Sequence, residues 1–384
     1  MKKIIIVNNN MKVGGVQKSL YNLLWAIKDR YDVTLYLFHD GGSFQLPPNV
    51  KVLHCDGPFR YFGLSQGQCK GGEKYKRAFL RLICRYLRRP AAVKLMRLGQ
   101  KKVEGYYDCA IAYLQNGNIH NLYGGVQDFV INCIDARKKI SFLHCDYTLS
   151  GANEPCNNRL IAKFERIAAC SDGCRSSFER IMPEQKEKCI TVRNTHRFDE
   201  IRALALQDTV IYPKDRPNVL MVTRLAHEKG IERALSAVAY AKTHGVSLRL
   251  HIVGSGAMEK SMHAMAQELQ LGDDVVFYGE QENPYRFMPD SDLFLMTSFY
   301  EAAPMVIDEA LSLSLPVFTT QTTSSLEMIK EYGWICENSQ DGINTMLCRI
   351  LSERDTLAKM KNRLRERAVD NEAALKQFEQ LIEE

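Results

Sequence analysis

Short apolar runs alternate with helically patterned segments in two series along this chain, and that alternation constrains the fold more than any other feature. Residues 4–7 form an apolar run closed by a polar loop holding Gly14 and Gly15, after which 16–27 carries helical periodicity. Further strands are expected at 32–38, 50–54, 109–114 and 140–143, with helical patterning at 159–168 and 173–181. The stretch 198–217 reads as a join. Beyond it the alternation restarts, with strands at 218–223, 248–253, 275–278, 293–297 and 316–319 and helices at 231–242, 258–269 and after Pro304. Two such series predict an α/β protein of two doubly wound domains. A chain of 384 residues is long enough for two cores. The expected boundaries are 1–200, 201–365, and a charged, sparsely apolar C-terminal helix at 366–384 that packs back on the first domain.

The balance of 45% apolar and 25% charged residues is that of a soluble globular protein. No apolar run approaches the ~18 residues of a bilayer-spanning helix. The opening MKKIIIVNNN has too short an apolar stretch for a signal-peptide core and reads as a buried first strand. The twelve cysteines show no framework spacing. Cys170 and Cys174 lie four apart and Leu-His-Cys-Asp occurs twice, but no C-x-x-C pair supports zinc. Reduced thiols in a cytoplasm are the simpler expectation.

The segment SFYEAAPMVIDEA, 298–310, places two carboxylates in an apolar context. Glu301 falls in the loop after a buried strand, ahead of the backbone N–H groups of Ala303, Met305 and Val306. Pro304 suits a first helical position. Glu309 lies inside the helix, where side chains lean back toward the N-terminus. Both carboxylates are therefore expected at the carboxyl end of the sheet, where α/β folds bind ligands. Arg224 follows another strand, and Lys229 stands just before Gly230 and a helix. Two cations beside a helix N-terminus make a phosphate site; the plain alternative is a solvated turn.

These residues resemble a known family. The segment from Val222 to Gly230, VTRLAHEKG, is similar to the G-R-L-x-x-x-K-G segment of family 4 glycosyltransferases. NPYRFMPDSDLFL from Asn283, followed by Glu301-x7-Glu309, resembles that family's nucleotide-sugar region. Met11 to Leu20 resembles its glycine loop, and LHCDY from Leu143 its histidine segment. The match runs in order from residue 1 to about Ser339. Two departures stand out: Glu301-Ala302-Ala303-Pro304 where the family usually has Glu-Gly before a bulky residue and Pro, and Thr223 where it usually has glycine before the arginine.

The resemblance implies a GT-B fold, two Rossmann-like domains facing a central cleft, and a retaining, metal-independent hexosyltransferase. Arg224 and Lys229 would neutralise the diphosphate as the glycosidic bond breaks. Glu309 would bind ribose hydroxyls and Glu301 the sugar hydroxyls. Gly14 and Gly15 would admit the diphosphate, Gly254 would shape a turn beside the base, and Ala303, Pro304, Met305 and Val306 would line the phosphate end. His144 would contact the donor sugar, its plain alternative being a satisfied core imidazole. The donor would be a UDP-sugar before a GDP-sugar, and the acceptor a glycan or a polyprenyl-linked sugar in capsule, exopolysaccharide or lipopolysaccharide assembly. The alternative is a catalytically inactive homologue that binds glycan or a partner protein.

Asp290-Ser-Asp292 fits a D-x-D metal pattern but precedes a strand, at the edge away from the ligand end. Gly254-Ser-Gly256 lacks the third glycine of a dinucleotide fingerprint, since position 259 is Glu.

The net charge of +6 is concentrated. Between Lys74 and Val103 lie eleven Lys or Arg and no acid. Tyr75, Phe79, Leu82, Ile83, Tyr86 and Leu87 fall on one helical face, and Lys74, Arg77, Arg81, Arg85 and Arg88 on the other. One expectation is a helix packed on the first domain by its apolar face. The other is an interfacial helix that gives residues 74–102 a peripheral contact with the inner face of the plasma membrane. Nucleic acid is not expected, because no stacking aromatics share the basic face.

Overall fold

The computed structural model describes residues 1–12, 14–42 and 44–383, without the side chain of residue 354. Val13, inside the glycine loop singled out from the sequence, lies outside the described residues. The chain divides into two compact units, Met1–His196 with Asn371–Glu384, and Arg197–Asp370.

The first unit runs β1 (Lys3–Asn8), α1 (Gly15–Ile27), β2 (Asp32–Leu37), β3 (Lys51–His54), α2 (Glu73–Arg97), β4 (Tyr106–Ala112) and α3 (Val126–Cys133). It continues through β5 (Asp135–Leu143), α4 (Pro155–Ile161), β6 (Arg166–Ala169), α5 (Asp172–Ile181) and β7 (Cys189–Thr191). Its sheet is parallel, in the order β3-β2-β1-β4-β5-β6-β7. Ile4 to Val7 are wholly buried because the sheet is covered on both faces, which is why the strand reads as an unbroken apolar run. Ile4 and Ile6 pack with Leu20 and Leu24 of α1.

The second unit contains α6 (Phe198–Leu206), β8 (Asn218–Val222), α7 (Ile231–Thr243), β9 (Arg249–Val253), α8 (Glu259–Glu268), β10 (Val275–Phe277) and β11 (Leu293–Met296). There follow α9 (Met305–Ser312), β12 (Val317–Thr320), α10 (Ser325–Ile329), β13 (Gly333–Cys336), α11 (Gln340–Ser352) and α12 (Arg354–Arg365). The parallel order is β10-β9-β8-β11-β12-β13. One face is closed by Ile231, Leu235, Met262 and Leu347 of α7, α8 and α11. The other is closed by Ile201, Ile307, Leu311 and Leu364 of α6, α9 and α12. Both units are doubly wound.

The structure corrects several expectations. Residues 166–169 are a strand, not the end of a helix. Ile167, Ala168 and Ala169 are fully buried between β5 and β7, and so short an apolar run cannot be told from buried helix by its pattern. Strands β7 and β13 and helices α10 to α12 had no reading at all. The units cross over at 196/197 and 370/371 rather than at 200/201 and 365/366, since Ile201 and Ala205 of α6 belong to the second core.

The last helix, α13 (Glu372–Glu383), belongs to the first unit. Its buried residues Ala374, Phe378, Leu381 and Ile382 form one apolar stripe. Phe378 meets Tyr31 edge-on at 6.1 Å. Phe378→Ala is expected to destabilise the first unit by about 3–5 kcal/mol. Hydrogen exchange should show lost protection at β1 and β2 while β8 and β11 keep theirs.

Candidate functional site

Both sheets reverse their strand order once, between β1 and β4 in the first unit and between β8 and β11 in the second. In an open α/β sheet the carboxyl ends of the strands beside such a reversal are where ligands sit. In the second unit the two flanking loops are those carrying Arg224 to Gly230 and Thr297 to Pro304.

These loops are tied together atom by atom. Gly230 sits at φ 61°, and a Cβ there would lie 2.3 Å from the Thr297 carbonyl oxygen. Only glycine meets both demands. Thr297 Oγ1 donates to the Gly230 carbonyl at 2.7 Å, and the Phe299 N–H donates to the Glu228 carbonyl at 3.0 Å. The result brings Lys229 Nζ to 2.6 Å from Glu301 Oε1, which also accepts from Ser298 Oγ at 2.8 Å. Arg224 is not drawn into this pair. Its guanidinium bridges Glu228 at 2.7 Å and its side chain is 73% exposed.

The remaining expected residues of this unit fall as follows. Glu309 is buried in α9 and accepts from the Tyr285 hydroxyl at 3.0 Å. Pro304 is the N-cap rather than the first helical residue expected for it, and α9 starts at Met305 with Val306 next; Ala303 precedes the cap. Gly254 adopts φ 135°, and a Cβ there would lie 1.9 Å from the Thr223 carbonyl oxygen. It therefore packs the loop after β9 against the loop after β8. Asp290 and Asp292 accept from the Tyr212 and Asn218 N–H groups at 2.7 and 2.8 Å, pinning the amino end of β8. Among the described residues no group of three His, Cys, Asp or Glu is placed to hold a metal.

Arg233 was missed. It is 5% exposed in the first turn of α7, the wrong end of a helix for a cation. Its Nη1 donates to the Thr297 carbonyl at 3.3 Å and to Asn338 Oδ1 at 2.6 Å, and its guanidinium lies 4.6 Å from the Phe299 ring centre. Asn338 Nδ2 in turn donates to the Phe299 and Gln321 carbonyls. Arg233 thus braces the loop that carries Glu301. The signal available in the sequence was its spacing, a cation four residues after Lys229 at a helix start.

In the first unit, α1 begins at the loop after β1 with Gly14 as N-cap, in extended backbone at φ 173°. A Cβ on Gly14 would meet only the flexible Gln17 amide, and one on Gly15 would meet nothing within 4 Å. Neither the backbone nor any neighbour demands glycine at 15. His144 directly follows β5, its N–H donating to Gln115 Oε1 at 3.0 Å and its ring 4.7 Å from that of Tyr113. Burial pushes the imidazole down to about 4, and a hydrogen bond to the Tyr113 backbone draws it part of the way back. Nε2 is shielded and has no protein partner. A neutral ring that carries its proton on Nδ1 would leave the unpartnered Nε2 as a lone pair able to accept from a hydroxyl. Asp146 is occupied locally, accepting from the Thr148 N–H and Ser177 Oγ at 2.9 Å each.

Comparison with known proteins agrees with this geometry. Residues 207–368 match the family model described as glycosyl transferases group 1. Along 96% of this chain and 95% of its own, a Campylobacter jejuni protein is 25% identical: N-acetylgalactosamine-N,N'-diacetylbacillosaminyl-diphospho-undecaprenol 4-alpha-N-acetylgalactosaminyltransferase. A putative colanic acid biosynthesis glycosyltransferase of Salmonella typhimurium is 26% identical over 40% of this chain and 41% of its own. Among solved structures, Anabaena HepE in complex with UDP superposes with TM-score 0.64 at 16% identity, covering 99% of both chains. The chain is a glycosyltransferase of the GT-B fold. The transferase's second unit holds the whole of the family match, and there Lys229 meets Glu301.

Two outcomes follow for the transferase. Arg233→Met should cost ~10-fold or more in kcat/KM, with Arg233→Lys only partly restoring it because a point charge cannot replace a planar fork; steady-state kinetics beside thermal unfolding checks this. His144 lies about 4 when folded against the ordinary 6.5. The unfolded chain therefore binds more protons between those values, and stability should fall as pH drops from 6.5 toward 4. His144→Gln should flatten that slope in urea titrations.

Proposed function

We propose that the protein transfers a hexose from a nucleoside diphosphate sugar, UDP-linked before GDP-linked, to a glycan or polyprenyl-linked acceptor with retention of configuration. The observation that carries this reading is the Lys229–Glu301 pair, held where the second sheet reverses. A bound diphosphate competes with Glu301 for the Lys229 ammonium. Once Lys229 turns to the phosphate, Glu301 is freed to accept hydrogen bonds from sugar hydroxyls. One step thereby assembles charge for the leaving group and recognition for the sugar.

Arg224 adds a second cation when it leaves its exposed partner Glu228, and the positive end of α7 adds a third contribution. Together they stabilise the charge that grows on the diphosphate as the bond from C1 to the phosphate oxygen breaks. The acceptor oxygen forms its bond to C1 on the same face, and its proton passes to the departing phosphate oxygen. The chemistry is assigned to no metal. Glu309 receives ribose hydroxyls, with Tyr285 setting its rotamer. Gly254 shapes the turn beside the base. Gly14 and Gly15 are assigned to phosphate approach, supported by the open space above Gly15. Ala303, Pro304, Met305 and Val306 line the phosphate end. His144 Nε2 is assigned to a sugar hydroxyl.

Solved structures of the same fold carry UDP, which supports the donor class. The Campylobacter relative's name places its acceptor on diphospho-undecaprenol. Other relatives are named for colanic acid and amylovoran biosynthesis. These support surface-polysaccharide assembly at the cytoplasmic face of a membrane, with residues 74–102 as the peripheral contact. No helix among the described residues is long and apolar enough to cross a bilayer.

Slow hydrolysis of UDP- and GDP-sugars tests the assignment. Native protein should release nucleotide from one donor of a panel, and Lys229→Ala should reduce that rate by ~100-fold or more, Arg224→Ala by less. Undiminished hydrolysis in Lys229→Ala would remove the residue from the reaction.

A further inference from the structure

Helix α2 turns toward solvent the apolar face that its sequence pattern suggested would be packed. Tyr75 is 80% exposed, Phe79 57%, Leu82 52% and Tyr86 72%. Their spacing of four, three and four residues makes one straight stripe along the helix. The inner face is formed instead by Leu80 and Cys84, together with Arg77, whose Nε donates to the Leu64 carbonyl at 2.7 Å. Lys74, Lys76, Arg81 and Arg85 are exposed and border the stripe on its two sides. No acid occurs from Lys74 to Val103.

The helix is held firmly behind this stripe. It breaks at Arg88, which takes φ 69°, and Pro90 starts its second part. The next side chain, Arg89, is buried. It donates to the Gly117 carbonyl at 3.3 Å and to Asn157 Oδ1, and lies 3.7 Å from Asp128. The Arg89 N–H donates to the Ile119 carbonyl at 2.7 Å, and His120 Nδ1 pairs with the Arg85 carbonyl at 3.0 Å. The same loop begins at Gln115, which accepts from the His144 N–H. A single short loop therefore links the exposed helix to the carboxyl end of the first sheet.

We propose that the first half of α2 docks on an anionic phospholipid surface, seating Tyr75, Phe79, Leu82 and Tyr86 in the bilayer interface with Lys74, Lys76, Arg81 and Arg85 against lipid phosphates. The proposal deepens, and rests on, the reading of a membrane-borne acceptor. An apolar stripe bordered by cations is what an interfacial helix needs. A second copy of this chain is the competing occupant. Self-pairing would set two rows of cations against each other, and the helix's one acid, Glu73 at its first position, is already paired with Arg60, so charge selects the lipid.

Vesicle sedimentation decides the matter. The native protein should bind vesicles of phosphatidylglycerol and phosphatidylethanolamine but not pure phosphatidylcholine, and should release when NaCl is raised to about 0.5 M. Phe79→Ser/Tyr86→Ser should weaken binding ~10-fold or more, and Arg81→Glu/Arg85→Glu should abolish it. In both variants the melting temperature and the thermal shift with UDP or GDP should match the native protein. Unchanged vesicle binding in both variants overturns the proposal, as does a native protein that ignores anionic vesicles. So does a dimer in sedimentation equilibrium that the apolar double variant dissolves without any vesicle binding. Vesicle binding requires neither donor nor acceptor, so loss of transfer with intact binding points at the catalytic reading instead.

Discussion

The closure of Gly230 against the Thr297 carbonyl is the constraint on which the candidate site depends. The left-handed backbone of Gly230 and the absent Cβ let the loop after β8 touch the end of β11. Every other element of the site is then set by covalent geometry. Lys229 precedes the contact and Glu301 follows it by four residues, so the two side chains arrive at hydrogen-bond distance. Arg233 and Asn338 brace the far side of the same contact, and Asn338, which follows β13, ties it to Phe299 after β11 and to Gln321 after β12. A buried guanidinium whose hydrogen bonds go to neutral acceptors beside a ring face is costly to maintain. Its retention in the first turn of a helix is the kind of local rule-breaking that accompanies functional sites.

Much of the fold was legible because parallel strands covered on both faces leave unbroken apolar runs, as in Ile4–Val7, Val219–Met221 and Leu293–Met296. Legibility failed where the run was short or flanked by small residues. Residues 166–169, Arg-Ile-Ala-Ala, carry no period of their own, and only the pairing with β5 and β7 makes them a strand. β13 contains Gly333 and Trp334 and lies at a sheet edge, which blurs its pattern further. α13 was legible as a helix, but its membership of the first core rests on contacts more than three hundred residues away in sequence.

The site was legible to the extent that it is local. Glu301 and Lys229 each stand beside a helix start, so strand-loop-helix grammar located them. Their pairing, and the bracing by Arg233 and Asn338, are long-range facts that no window of sequence contains. Arg224 shows the converse: its spacing matched Lys229, yet the nearer carboxylate of Glu228, one helical turn on, holds its guanidinium. In α2 the apolar pattern was correctly seen and its destination was not. Periodicity states that a helix has two faces. It does not state which face the domain takes, and here Leu80, Cys84 and Arg89 supply the inner one.

The return of the last helix to the first unit bears on how the chain is made. The first core is incomplete until Phe378, Leu381 and Ile382 leave the ribosome, while residues 197–370 form a continuous unit that closes earlier. Domains ordinarily mature in the order of synthesis. In this chain the second unit is the first able to finish, and the amino-terminal sheet waits with part of one face bare beside α1. Premature termination between residues 370 and 378 would therefore leave a finished second unit attached to an unfinished, aggregation-prone first one.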